Sequence, residues 1–551
     1  MVDFGTITKA LGLAVKDICK RGLRAGIVNR VATNMMCTTT VPRPRAFSLW
    51  SPVDKPDGQE NGEEIEGPVG DYTTWAMLTD RQYSARHLPP APVADIEALK
   101  KRAVDTPFDD SDPDNVVIGE VTALFARGPA MTEGRSSLLF MFFAQWFTDS
   151  ILRIDPADRR KNTSNHNIDL CQIYGRSEVS ARALRSKSKL KSEKGKLAYQ
   201  RNENGEIYPD YLGETDARGN WKVKKAYKAL PYTKDGVLQA VFKGWLDDPK
   251  RRDKLYATGL ERGNSSIGYV AISTLFLREH NAICDALNKA HPEWDDERMF
   301  QTARMINTVI LMKLVVVDYI NHIAGSNTFE FDPMFAEQET WYRTPWIALE
   351  FDLLYRWHGM IPDTITIGGT TYGDREYRFN NALLETTGIE ALINAASGQA
   401  AGKIGLGNVP GFMLGAEYRL VKMGRDFRLQ PYNAYRRRFG LKPLNSFEEL
   451  TDDAELRGKL EKLYGDIDQL EFVVGLFGQK SAPGRLYGDL IYAMVAYDAF
   501  TQIYTNPLLS QNVFNERTFT KLGLDRIKST NSVQDLASRN TKQPVTASFN
   551  A

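Results

Sequence analysis

The 551-residue chain is short of the residues that most often hold metals or build disulfide frameworks: it has four cysteines and six histidines. Cys19, Cys37, Cys171 and Cys284 are widely scattered, with no CxxC pair. That excludes a zinc ribbon and a disulfide-built scaffold, and points to a reducing, cytoplasmic compartment. Neither sign of charge is in excess, with Lys+Arg at 70 and Asp+Glu at 69, so no global field for a polyanion is implied. No run approaches the roughly eighteen apolar residues of a membrane-crossing helix. The start lacks the basic region, apolar core and small-residue cleavage site of a secretory leader. Nucleotide loops are missing as well: GLGNVPG (405–411) fits neither GxGxxG nor GxxxxGK[ST] and follows no βαβ pattern. What remains is an ordinary globular composition, with length enough for a large core and about two to four domains.

The stretch that is richest in chemistry is EFDLLYRWHGMIPD (350–363). Phe351, Leu354, Tyr355 and His358 stand at i, i+3, i+4 and i+7, which predicts a helix with all four on one face. Gly359 and Pro362 would end it soon after His358. A phenol and an imidazole one turn apart on an apolar face suit a haem pocket, and equally a hydrogen-bonded core histidine. A second apolar stretch, residues 136–152, reads as a buried helix whose polar exceptions, Gln145, Thr148 and Asp149, form one stripe. Uncompensated buried amides and hydroxyls cost roughly 2–7 kcal/mol, so the stripe should face something polar. Helices are also expected over 264–290, 300–325 and 490–509.

At the N-terminus, Phe4, Ile7, Leu11, Val15, Ile18 and Leu23 recur at near-helical spacing, opposite Lys9, Lys16, Lys20, Arg21 and Arg24. Such a helix can lie on an anionic membrane surface or dock on the protein's own body. Residues 53–70 read as an acidic loop. His87 falls in what reads as an extended surface segment. The Lys/Arg-rich run 183–203 and the NGEIYPDY that follows it (204–211) read as a solvated surface hairpin, since the basic run lacks the interleaved stacking aromatics of a nucleic-acid site.

These segments, with FFAQWFTDS (142–150), TLFLREHNAICDALNKAHPEW (274–294), QPYNAYRRRFGLKP (430–443) and LYGDIDQLEF (463–472), resemble in order the cyclooxygenase-like branch of the animal haem peroxidase superfamily. The resemblance covers roughly residues 120–515. It implies a mainly α-helical catalytic domain over 118–525 with haem b between long helices. Flanking that domain are N-terminal helices (1–45), a loop-rich connection (46–117) and a polar tail (526–551) that wraps or frays.

Several roles are carried by the resemblance alone. It puts the haem ligand on His358 and the radical-forming tyrosine on Tyr355, with Tyr319 hydrogen-bonded to that phenol. Gln145 falls at the distal glutamine and Arg262 at the distal arginine of mammalian peroxidases, but the distal histidine position holds Asp149. An Asp149–Arg262 pair would keep that carboxylate ionised; Asp149 is then either an altered acid–base group or a buried partner of arginine. Arg45 falls at the arginine that binds a fatty-acid carboxylate, Ala499 at the channel serine and Ala496 at its small neighbour. Ser326 replaces a tyrosine at the channel mouth. Ser265 stands where mammalian peroxidases have an ester-forming glutamate, which argues against that covalent haem link. Arg278, Glu279 and His280 of LREHN are expected to form a structural network.

The implied activity is oxygenation of a fatty acid by O2. A peroxide-oxidised haem yields a Tyr355 radical, which abstracts hydrogen and leads to a lipid hydroperoxide. Peripheral membrane contact and a homodimer are compatible with the resemblance. Two alternatives stay open: a haem oxidase or peroxidase acting on another organic molecule, and a haem-binding protein without catalysis.

Overall fold

A computed structural model describes residues 25–38, 80–111, 116–234 and 236–551. Arg45, the basic helix of residues 4–24 and the acidic loop 53–70 lie outside the described residues. In chain order the helices that frame the site are α1 (Ala25–Thr38), α2 (Leu138–Thr148), α3 (Ile267–Ala290) and α4 (Asp296–Leu314). They are followed by α5 (Leu349–Leu354), α6 (Leu414–Asp426), α7 (Asp489–Tyr504), α8 (Glu516–Lys528) and α9 (Val533–Asn540). Strands are short and pair two at a time, as Glu133–Ser137 does with Ala400–Gly402. The fold is mainly α, as the sequence predicts. No helix of the described residues is long and apolar enough to cross a membrane.

α2 is shorter than the apolar run suggests. The Ser137 side chain caps it by accepting from the Phe140 amide at 3.2 Å, satisfying a donor that the first turn leaves free. It lies directly against α3. A Cβ at Gly268 would come within 2.1 Å of the Phe142 ring, so only glycine admits this approach. Trp146 stacks on Phe276 at 4.8 Å, with its indole N–H on Ser273. α3 packs in turn on α4 and α9, and α4 on α8.

Glu279 holds the C-terminal helices to this frame. It is fully buried and accepts from Arg526, Arg539 and Asn540 at 2.7–3.0 Å. His280 is tied at both ring nitrogens, to the Tyr174 hydroxyl and the Gly195 carbonyl, each at 2.9 Å, and burial lowers its pKa to about 4. The tail wraps: Phe549 is buried among Phe140, Phe143 and Tyr319.

One reading of the sequence here needs correction. His87 is buried, not at the surface, and its Nε2 lies 3.0 Å from Asp498 on α7. The tripeptide Leu88-Pro89-Pro90 signals extended chain, and extended chain can be buried when a partner 411 positions away supplies a carboxylate. The hairpin expected over 183–211 is present at its far end, where Tyr199–Arg201 pairs with Ile207–Pro209, while the basic stretch before it is a loop closed by a bridge between Arg185 and Leu197. Arg185 is drawn inward by Asp296 and Glu297.

After Leu314, α4 continues as a wider π-helical turn, Val315–Ile320, a form common at functional sites. It carries Tyr319 and Asp318. The Asp318 carboxylate accepts from the Val533 amide at 2.7 Å, and burial raises its pKa from 3.8 to about 6. A carboxyl whose folded pKa is raised stabilises the fold when protonated. That contribution is present below about pH 4 and is lost as pH rises through 6. Asp318→Asn keeps an acceptor and removes the charge. It should raise the melting temperature at pH 8, by at most about 3 kcal/mol of stability, and leave it unchanged at pH 4.

Candidate active site

The 350–363 stretch does not form one helix. α5 stops at Leu354, and Tyr355 and Trp357 leave helical geometry before a short 3-10 turn, His358–Met360. The Trp357 indole N–H donates to the Leu354 carbonyl at 2.8 Å. That carbonyl is the acceptor the His358 amide would need for another helical turn. Tyr355 and His358 still line the same cavity, brought there by the break rather than by a helix face.

The cavity measures about 530 Å³, within the roughly 300–1,000 Å³ of small-molecule and cofactor sites. The His358 Nδ1–H donates to Glu417 Oε1 at 2.5 Å, which leaves Nε2 facing the cavity. Glu417 comes from α6, where it shares the buried face with Leu414 and Val421. It is completely buried, and its Oε2 has no hydrogen-bond partner among the described residues. The sequence signal for it was present, a carboxylate amid an apolar helical stripe, but 59 positions from its partner.

Gln145, Thr148 and Asp149 line the same cavity, so the polar stripe of α2 faces it. Asp149 caps the helix rather than lying within it. Its best partner is the buried Tyr269 hydroxyl, which donates at 3.1 Å. The Arg262 guanidinium is 3.6 Å away and 61% exposed, a loose pair worth little in water. Asp352 and Arg356, which the sequence reading passed over, line the cavity too and pair at 2.7 Å. Burial holds the Asp352 carboxyl above its ordinary range, and Asp149 adds to this against Arg356 and Arg262. Ser265 also lines the cavity, with its hydroxyl buried and unpartnered among the described residues.

Three phenols meet at the inner end. Tyr355 acts electrostatically on both Tyr319 and Tyr487, raising their pKa values. The Tyr319 and Tyr355 hydroxyls interact without completing a hydrogen bond of normal geometry, and Tyr487 also lacks a partner among the described residues. Burial pushes all three phenols upward in pKa. Trp357 stacks between two of them, 4.5 Å from Tyr355 and 5.3 Å from Tyr487. Ala496 and Ala499 are buried on α7, which packs against α5 and α1. On α1, Ile27 and Val31 remain exposed one turn apart.

This donor set fits an iron porphyrin. One imidazole nitrogen is open to a large cavity with aromatic walls, and Arg262, Arg356 and Arg378 put positive charge along its lining. A buried carboxylate with one oxygen unpaired is costly, and positive charge beyond the imidazole would offset it. Of the six histidines only His358 lines this cavity.

Comparison with known proteins agrees. The family model for animal haem peroxidase matches residues 153–551. Prostaglandin G/H synthase 1 of Oryctolagus cuniculus is 34% identical over 488 residues, 87% of this chain and 74% of that protein. Prostaglandin G/H synthase 2 of Equus caballus is 32% identical over 481 residues, 86% and 72% respectively. In fold, the Oryza sativa fatty acid alpha-dioxygenase superposes with a TM-score of 0.67 at 18% identity, over 100% of this chain and 97% of that one. Peroxidase A from Dictyostelium discoideum gives 0.61 at 17% identity, over 94% and 98%. The helical frame, the open imidazole and the extent of these matches lead to one conclusion: the chain belongs to the animal haem peroxidase family, in its cyclooxygenase-like branch.

Proposed function

We propose that the protein is a haem-dependent fatty-acid oxygenase that works through a radical on Tyr355. The observation that carries this reading is a single cavity shared by His358, with an open ring nitrogen, and Tyr355, whose buried hydroxyl completes no hydrogen bond of normal geometry among the described residues. Its relatives include prostaglandin synthases, and its fold neighbours include fatty acid alpha-dioxygenases.

His358 holds haem b, which when bound supplies one-electron oxidising power drawn from a peroxide. Tyr355 gives up one electron and its phenolic proton. The resulting phenoxyl takes a hydrogen atom from an activated carbon of the fatty acid. O2 adds to the carbon radical, and the peroxyl radical recovers a hydrogen atom from Tyr355, giving a hydroperoxide and restoring the phenoxyl. Tyr319 and Tyr487 set the polarity around that oxygen, while Ala499 and Ala496 leave room beside the acyl chain. Gln145 lines the cavity that His358 shares, where its amide would be available to a peroxide. Asp149 is already engaged by Tyr269, so ordinary peroxidase turnover is weak.

The test is incubation of the haem-loaded protein with a panel of fatty acids under isotopically labelled O2, read by mass spectrometry. Two labelled oxygen atoms per product molecule are expected. Oxidised product without label would instead favour a haem oxidase, and no product from any acid would sink the oxygenase reading.

A further inference from the structure

We infer that Glu417 is a positioning residue for the iron ligand, one that gives the His358 imidazole anionic character and so strengthens its donation to the metal. The inference rests on His358 being that ligand and goes beyond it. Three observations carry it. The hydrogen bond between His358 Nδ1 and Glu417 Oε1 is short, at 2.5 Å, and fixes the ring plane and the tautomer that presents Nε2. The carboxylate lies in the first turn of α6, where the helix dipole favours negative charge. Its second oxygen is buried and unpartnered.

The last point separates Glu417 from buried glutamates with a structural task. Glu279, Glu350 and Glu471 are buried too, but each has both oxygens engaged. Glu279 meets two arginines and an asparagine. Glu350 meets the His87 amide and the Tyr435 hydroxyl. Glu471 meets Arg425 and Tyr464. Of these four glutamates, Glu417 alone directs its charge at a ring nitrogen. Carboxylate partners of metal-bound histidines raise ligand basicity.

The rest of the cavity lining gives this a purpose. The group best placed there to move a proton, Asp149, is held by Tyr269 and capped onto α2. With acid–base help weak there, a strongly donating ligand can carry more of the work of activating a bound peroxide. Glu417 therefore serves as an electron-donating counterweight to the position that Asp149 occupies.

The experiment uses the haem-loaded protein, its Glu417→Gln and Glu417→Asp variants, and His358→Ala. The amide of Glu417→Gln still accepts the hydrogen bond but carries no charge. Its ferrous form should be favoured about tenfold, a rise of about 59 mV in the one-electron potential, and the ferrous iron–nitrogen stretch in resonance Raman should fall. Haem affinity should drop by no more than about 10–100-fold. Glu417→Asp, which keeps the charge, should fall between the two. An unchanged potential and stretch in Glu417→Gln would overturn the inference. So would a wild-type stretch no higher than that of ferrous haem with a neutral imidazole, which decides the matter even if a variant does not fold. If His358→Ala keeps its iron–nitrogen stretch, the ligand assignment itself has failed, a result distinct from either of these.

Discussion

Replacing His358 with alanine should give a protein that no longer takes up haem, seen as loss of the Soret band after reconstitution. The imidazole offers the cavity its one open ring nitrogen, and the other five histidines lie elsewhere. The affinity loss should exceed the roughly 10–100-fold that follows from removing a partner of a ligand. The change also strands Glu417, and breaking one side of a buried pair costs about 3–5 kcal/mol. A lower melting temperature is therefore expected alongside the missing band. Free imidazole diffusing into the vacated space should restore both. A band that survives without added imidazole would place the iron on another residue.

Tyr355→Phe is expected to leave the pigment intact and to reduce oxygenation on the order of a thousandfold, about 4 kcal/mol of barrier. The ring packs on Phe351 and Trp357, contacts a phenylalanine keeps. The hydroxyl completes no hydrogen bond of normal geometry among the described residues, so its removal should cost no stability. A buried hydroxyl in that condition ordinarily disfavours the fold by about 1–3 kcal/mol, which is why its presence calls for a chemical reason. Labelled O2 uptake measured beside an unchanged Soret band would separate lost chemistry from lost cofactor. Persistent oxygenation would move the radical to another group, such as Tyr319 beside it or Tyr487 across Trp357.

Much of the frame was legible because it rests on strong local signals. The apolar run of α2 and the long periodic pattern of α3 have few competing conformations. Ser137 and Ser266 mark the helix starts by accepting from backbone amides. The interruption after Leu354 was not legible, because it depends on where one indole N–H points, and spacing carries no such information. Glu417 and His87 escaped for a related reason. Each takes its meaning from a partner 59 or 411 positions away, and one sequence read alone does not pair distant residues. The reach of Arg45 toward a substrate stays a matter of sequence, since that residue lies outside the described region.

The wide turn at Val315–Ile320 amounts to one surplus residue folded into an otherwise regular rod. Each residue in a regular helix turns the next side chain through about 100°. Deleting a single position upstream of Tyr319 would let the rod relax and swing that phenol by nearly a third of a revolution, away from Tyr355. The partnership between two phenols therefore hangs on that extra link in the chain.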